Sequence, residues 1–277
     1  MADDVAFHRA VMPRGTERFL DSRSLFSDHR RLAELLAPGM SVLDVGCGSG
    51  AITRGIAEVV GRAGSVVGVD VSEALLAHAV ASHSDHANLS FEAADVFRLG
   101  YREEFDLVTA ARVLQWLADP PAALASMVAA VKPGGTIVVL DYSHTKSHWE
   151  PDPPTEFTSF YEAFLRWRAD AGMDNVLADH LAEMLREVGL RDVEVTDEIE
   201  LTSRGDADFD RRMALWPGVI ATRGHQIVAD GMLAEHERAA AAEALAAWLA
   251  TDARSQSLYL LAASATRAFE LRPGGRL

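Results

Sequence analysis

Five short, mostly apolar runs punctuate the first half of the chain, at Ser41 to Val45, Ser65 to Val69, Leu89 to Ala93, Phe105 to Thr109 and Thr136 to Leu140. Between them the apolar positions take helical spacing, at 51–60, 73–82 and 120–131. Pro133-Gly134-Gly135 stops the last of these helices and starts a strand. Alternation of this kind predicts a parallel sheet covered on both faces, because each crossover has to return over the sheet. Ligands in such sheets bind beyond the carboxyl ends of the strands, near the switch in strand order.

The flanks read differently. In residues 1–40, Leu25, Phe26, Leu32, Leu35 and Leu36 fall near one helical face, with Ser27 as N-cap and Pro38-Gly39 as the stop. One or two helices packing against the sheet edge are expected there, with Arg14 to Arg23 read as a solvated face in preference to a contact with a ligand carboxylate. Ser143 to Asp174 is aromatic, and Phe157, Phe160, Tyr161 and Phe164 form one helical stripe. Ser203 to Arg254 carries Met213, Leu215, Trp216 and an alanine-rich helix. The two insertions are expected to form one helical lid over the mouth of the sheet.

The stretch SVLDVGCGSGA, Ser41 to Ala51, joins a buried strand to a helix start through Gly46, Gly48 and Gly50. Such a turn frees the backbone to approach a ligand and aims the helix N-terminus at it, so an anionic or oxygen-rich small molecule is expected. Asp70 follows twenty residues after Gly50, at a strand end where a carboxylate can accept bonds from both ribose hydroxyls. Ser72 reads as the next N-cap. Asp95 closes the third strand, placed to accept from an exocyclic amine of adenine, with Val96 and Phe97 as apolar surface beside it. With Ala51 in the last position the turn also satisfies the looser dinucleotide fingerprint, which leaves an NAD-dependent oxidoreductase open.

Composition narrows the partners. A formal charge of −15 over 277 residues, with Lys132 and Lys146 the only lysines and no basic stripe, argues against nucleic acid. Cys47 is the single cysteine, so an intramolecular disulfide and a four-thiolate zinc site are excluded. No stretch reaches the ~18 to 20 apolar residues of a membrane span, and MADDVAFHRA has no signal pattern, so a cytoplasmic protein with no membrane partner is expected.

Taken together, LDVGCGSG, GVDVS, AADV, FDLVTAARVLQWL and KPGG, in this order between Leu25 and Tyr142, resemble the class I S-adenosylmethionine-dependent methyltransferases. The resemblance is strongest to the small-molecule branch that includes ubiquinone and menaquinone biosynthesis enzymes. It implies an α/β, Rossmann-like fold: a seven-stranded, mostly parallel sheet with an antiparallel edge hairpin, helices on both faces and a helical lid. It implies S-adenosylmethionine as cofactor and S-adenosylhomocysteine as product, with Asp44, Gly46, Gly48 and Gly50 lining the methionine portion and Asp70 holding the ribose. Val71 would flank the adenine, Asp95 and Val96 would meet its amino edge, and Ala111 and Arg112 would face the sulfonium and carboxylate end. Asp192 to Leu201, after a helix at about 178–188 ending at Gly189, fits the implied sixth strand, and 258–268 fits the seventh. The final RPGGRL is expected to be a loose tail. The division that follows is N-terminal helices at 1–40, a cofactor-binding core at 41–142, insertions at 143–174 and 203–255, a core helix and strand at 175–202, and the seventh strand and tail at 256–277.

Methyl transfer from a sulfonium is a direct displacement in which the protein supplies orientation, dryness and, where the acceptor must lose a proton, a base. His144 is the expected base, nearer the strand end than His148; the pair has no third ligand, so no metal is expected. Gln115, Trp116, Tyr142, Phe160 and Phe164 are the expected substrate contacts, while His83, Asp85 and His86 read as a solvated turn. The expected acceptor is the O, N or C of a small, apolar or aromatic metabolite, turned over by a monomer or homodimer. Besides the NAD enzyme, a cofactor-binding protein that does not methylate is the competing reading. Nucleic-acid methylation is disfavoured by charge and by AARVLQW, which lacks the Asn/Asp-Pro-Pro-Tyr/Phe motif.

Overall fold

The computed structural model describes residues 2–13 and 17–269. Four short helices come first: α1 (Ala2–Ala10), α2 (Glu17–Asp21), α3 (Leu25–Asp28) and α4 (Arg30–Leu35). The alternating region follows as β1 (Ser41–Val45), α5 (Ala51–Val60), β2 (Ser65–Asp70), α6 (Glu73–Ser82), β3 (Leu89–Ala93), β4 (Phe105–Ala111), α7 (Pro120–Ala130) and β5 (Val131–Tyr142). Beyond it lie β6 (His148–Glu150), α8 (Thr155–Asp170), α9 (Leu177–Glu187), β7 (Arg191–Asp197) and β8 (Glu200–Ser203). The chain ends with α10 (Phe209–Met213), α11 (Leu215–Ala221), α12 (Arg223–Ala229), α13 (Glu235–Thr251), β9 (Ser255–Leu258) and β10 (Leu260–Thr266).

Seven strands form the main sheet in the order β3-β2-β1-β4-β5-β10-β7, parallel except for β10, which runs antiparallel to both β5 and β7. Order reverses between β1 and β4, so the crevice above their carboxyl ends is where a ligand belongs. The central strands are apolar almost throughout because helices cover both faces. On one face α7 and α9 bury Leu124, Met127, Leu181 and Leu185 against Leu43, Val108 and Val139; on the other, α3 to α5 bury Leu25, Leu32 and Ile56 against Val42, Leu107 and Val138. β5 begins five residues earlier than its apolar run suggests: Val131 already pairs with Phe105, and the ladder slips before Leu107 meets Thr136.

The alternating run at 192–201 is not one strand. It breaks after Asp197, whose carboxylate caps Ile199 N–H at 2.8 Å; β7 stays in the main sheet, and β8 joins a second, three-stranded antiparallel sheet ordered β6-β9-β8. The run expected as the seventh strand likewise divides into β9 and β10 around Tyr259. The two aromatic insertions share one apolar core, in which Phe157, Phe160, Trp167, Phe209, Trp216, Ile220, Leu245 and Trp248 pack together. The N-cap of α3 is Ser24, whose hydroxyl accepts from Ser27 N–H, and not Ser27 itself. The RPGGRL segment lies outside the described residues. Among those described, no helix is long and apolar enough to cross a membrane.

Candidate active site

The turn after β1 has three left-handed glycines, with φ of +71° at Gly46, +56° at Gly48 and +77° at Gly50. They do different work. A Cβ on Gly46 would sit 2.4 Å from Val113 Cγ2, and one on Gly48 would meet only Leu20 Cδ1, at 3.2 Å; both residues border a cavity of about 600 Å³. Gly50 instead packs beneath the turn, where a Cβ would lie 2.6 Å from Phe91 Cζ and 3.0 Å from His83. His83 is therefore not a solvated residue: its Nε2 is 3.1 Å from Ser49 O, supporting the turn from below. Asp44 also misses the cavity wall. Its carboxylate points under the turn and accepts a 2.7 Å bond from Thr53 Oγ1, and burial pushes its pKa up to about 7. Burial likewise pushes the Cys47 thiol well above its usual value, which keeps it unreactive.

Asp70, Val71, Asp95, Val96 and Phe97 line one end of the cavity. Asp70 Oδ2 accepts from Gly48 N–H at 2.9 Å and Oδ1 from Ser72 N–H at 2.8 Å, so the carboxylate ties the second strand to the glycine turn. Each oxygen uses one acceptor position and keeps another. Burial raises the Asp70 pKa, with the backbone donors opposing that rise. Asp95 is exposed and accepts from Phe97 N–H at 3.0 Å, and Val71 is 47% exposed, leaving apolar surface beside a free carboxylate edge. A nucleoside fits this end, with a bare backbone floor, paired acceptors for vicinal hydroxyls and an apolar slot for a base.

The other end of the cavity is built on the termini of β4 and β5. Arg112 stands at a φ of +61° and its guanidinium is spoken for: Nε donates to Tyr142 Oη at 3.1 Å, Nη1 to Asp28 O at 3.0 Å, and Nη2 pairs with Glu200. Its buried head group therefore anchors α3 and β8 to the cavity wall, and is not left open for a ligand carboxylate. Gln115 Nε2 donates to Arg112 O at 3.3 Å, which turns its Oε1 toward His144 Nε2, 2.7 Å away. Asp141, wholly buried and pushed by burial to a pKa of about 7, accepts from Gln115 N–H at 3.1 Å. Beneath it Arg168 donates to Gln115 O at 2.8 Å and lies 4.8 Å from the Trp116 ring, its Nη1 without a partner among the described residues. His144 is buried against Tyr142, stacked at 5.2 Å, and Phe164, edge-on at 5.7 Å. Burial holds its pKa well below the usual histidine value.

Of the expected site residues, Gly46, Gly48, Asp70, Val71, Asp95, Val96, Ala111, Arg112, Gln115, Trp116, Tyr142, His144 and Phe164 all reach this one cavity. Phe160 does not: it is wholly buried in the insertion core, its ring close to Gly224 of α12. His148 is exposed on β6, away from its neighbour. Among the described residues no group of His, Cys, Asp and Glu is arranged to hold a metal. Of the remaining walls, the sequence pointed only to the second insertion. Ala6, Phe7 and Ala10 of α1, Phe19, Leu20 and Arg23 around α2, and Trp216, Val219 and Arg223 of the second insertion close the cavity from above. The N-terminal helices thus cover the mouth, where the sequence suggested only packing at the sheet edge and a solvated arginine face; Arg14 of that face lies outside the described residues. Arg223 holds the end of α1 by donating to the carbonyls of Arg9, Ala10 (3.1 Å) and Val11 (2.9 Å), and Arg9 answers with bonds to Asp230 at 2.9 Å and Asp170 at 3.0 Å.

Comparison with known proteins agrees with this geometry. Residues 36–185 match a family described as a methyltransferase domain. Trans-aconitate 2-methyltransferase of Deinococcus radiodurans is 32% identical over 188 residues, covering 66% of this chain and 70% of that one. Demethylmenaquinone methyltransferase of Shouchella clausii is 31% identical over 172 residues, covering 57% and 73%. Among solved structures, phosphoethanolamine N-methyltransferase 2 of Haemonchus contortus in complex with S-adenosyl-L-methionine superposes with a TM-score of 0.56 at 18% identity, over 96% of this chain and 56% of that one. The family match spans more than half of the sequence and takes in every strand from β1 to β5, and on that ground the chain belongs to the S-adenosylmethionine-dependent methyltransferases.

Proposed function

We propose that this methyltransferase acts on a small, largely apolar or aromatic metabolite held between Trp116, Phe164 and Trp216 and the ends of β4 and β5, with His144 taking the proton the acceptor loses. The two insertions and α1 act as its lid. Bound S-adenosylmethionine supplies a methyl group on a sulfonium and leaves as S-adenosylhomocysteine. Gly46 and Gly48 offer the backbone floor for its methionine portion, Asp70 the acceptors for its ribose, Val71 and Val96 the walls of the adenine slot, and Asp95 a partner for the adenine amine. Ala111 and the Arg112 stem flank the sulfonium. The apolar walls exclude water and so favour direct displacement over hydrolysis.

One observation carries the role of His144. Because Gln115 Nε2 is committed to Arg112 O, Gln115 offers His144 an oxygen, and the Nε2 of His144 must hold the hydrogen. Its Nδ1 is then a lone pair with no partner among the described residues, on a ring that borders the cavity. Burial and the Arg168 charge keep the ring neutral at physiological pH, so Nδ1 is open to accept a hydrogen bond from a hydroxyl or acidic carbon, and the proton follows only as the acceptor gains the methyl group and becomes strongly acidic. Tyr142 and Phe164 fix the ring plane. The test is His144→Asn assayed with labelled S-adenosylmethionine against a panel of apolar phenols and quinols. Retained S-adenosylhomocysteine affinity with turnover lowered about 10²-fold or more is expected for a lost general base, and unchanged turnover on an accepted substrate would remove the assignment.

A further inference from the structure

One charged group at the cavity makes no ion pair among the described residues. Arg23 lies in the loop between α2 and α3, half-buried, and faces both the main cavity and a recess of about 20 Å³ beside it. Phe19, Tyr142, Leu215 and Leu258 border both spaces, so the recess is a side pocket of the cavity. The neighbouring carboxylates already have hydrogen-bond or ion-pair partners other than Arg23. Glu200 pairs with Arg112 and lies 3.9 Å from Arg212; Asp208 takes Arg211 at 2.6 Å and Arg212 at 2.5 Å. The Asp28 carboxylate accepts from Ser24 N–H at 2.8 Å and from the Ser27 hydroxyl. Arg23 has the Phe19 ring at 4.9 Å, but its guanidinium donates no hydrogen bond to any described residue. Burial and Arg112 disfavour its charge, and Glu200 and Asp28 attract it only from beyond hydrogen-bond reach, so a half-buried guanidinium with five donors unused gains more from an incoming anion than one in water does.

Its place in the sheet says whose anion this is. The proposed cofactor contacts lie at the ends of β1, β2, β3 and β4, whereas the walls around Arg23 include residues of β5, β8 and β9 and of α10 and α11. Tyr142 borders both spaces, its ring stacked on His144 and its hydroxyl accepting from Arg112. We propose that Arg23 anchors a carboxylate of the methyl acceptor, so that the substrate is an apolar-bodied organic acid lying along Tyr142 with its charged end at Arg23 and its reacting atom at His144. This rests on the acceptor occupying the cavity, and does not depend on His144 acting as the base.

The experiment is calorimetry on the full chain saturated with S-adenosylhomocysteine, using cinnamate and its uncharged counterpart cinnamamide as probes. The wild type is expected to bind the acid about 10-fold or more tightly than the amide, as a charge-assisted bond predicts. Arg23→Gln should bring that ratio close to one and Arg23→Lys should restore part of it, while both variants keep the wild-type S-adenosylhomocysteine affinity and thermal midpoint. A wild type that binds both probes equally, or neither, overturns the proposal. So does an Arg23→Gln protein that loses S-adenosylhomocysteine affinity with the acid preference intact, because the guanidinium would then serve the cofactor's own carboxylate. Failure of the wild type to bind S-adenosylhomocysteine at all would instead count against the underlying reading of the cavity, which keeps the two failures apart.

Discussion

Replacing Asp70 by alanine is the sharpest probe of the cofactor end, because the structure gives this carboxylate two tasks. Each oxygen already accepts one backbone N–H, from Gly48 at 2.9 Å and from Ser72 at 2.8 Å, and has one acceptor position left for a ribose hydroxyl. A hydrogen bond to a charged group is worth about 1.5–3 kcal/mol, so losing the ribose contacts should weaken S-adenosylhomocysteine binding by about 10- to 150-fold. The two backbone donors lose their acceptors too, but Gly48 borders the open cavity and water can replace the carboxylate there. Thermal unfolding without ligand should therefore shift by only a few degrees, at about 2–4 °C per kcal/mol for a chain approaching this size. Asparagine is no conservative control, since its NH₂ would face one of the two backbone N–H groups. Calorimetry across pH adds a second arm. Burial raises the Asp70 pKa, and the ionised form is the one that accepts, so wild-type affinity should fall on acidification through that raised value while the alanine variant loses this component. An Asp70→Ala protein with native circular dichroism and S-adenosylhomocysteine affinity within about twofold of wild type would refute the ribose assignment, given the range above.

Asp44→Asn should stabilise the fold. The asparagine oxygen can keep the bond from Thr53, and the buried charge is gone. Because the folded-state pKa is raised from 3.8 to about 7, the wild type is fully stable below the lower value and loses stability as pH rises to the upper one. Chemical denaturation should show the variant's advantage growing from about pH 4 to pH 7 and level beyond, and an advantage that is flat with pH would contradict the buried-charge account. His29 acts at the acid end: wholly buried beside Thr109 and held by burial to a pKa of about 3, it stays neutral while the unfolded chain takes up a proton. Stability should thus fall as pH drops below 6.5, and His29→Phe should reduce that slope in the same denaturation series. Arg223→Ala removes the donors that hold the last carbonyls of α1, so limited trypsin digestion should cut after Arg9 faster than in wild type and leave the sheet intact; an unchanged rate would mean that Arg9 and its carboxylates suffice.

Much of the sheet is legible in the sequence because its signals are local. A parallel strand buried on both faces is a short apolar run, and the runs at 41–45 and 89–93 match β1 and β3 to the residue. The helices at 51–60 and 73–82 are equally faithful, the latter capped by Ser72 as its sequence suggests. Positive φ at Gly46 and Gly48, and the carboxylate at the end of β2, follow from a turn that spans a few residues. Asp44 and Gly50 show where that reasoning stops. They belong to the same motif, yet which side of the turn each faces depended on Thr53, Phe91 and His83 packing from below.

What the amino-acid order determined by itself was the alternation of strands and helices, the glycine turn and the acceptors at the ends of β2 and β3, all set by interactions a few residues apart. Tertiary structure alone decided the rest of the cavity. Phe160 and Phe164 share one helical stripe, but α12 packs on the first, and the second is left against His144. Residues 192–201 carry one alternating pattern, but β10 claims the first part and β9 the second. Arg23 reads as a solvated arginine until the fold brings Tyr142 and Leu258 beside it, more than a hundred residues away. Burial and charge pairing at such positions are properties of what arrives from elsewhere in the chain, and no local pattern encodes them.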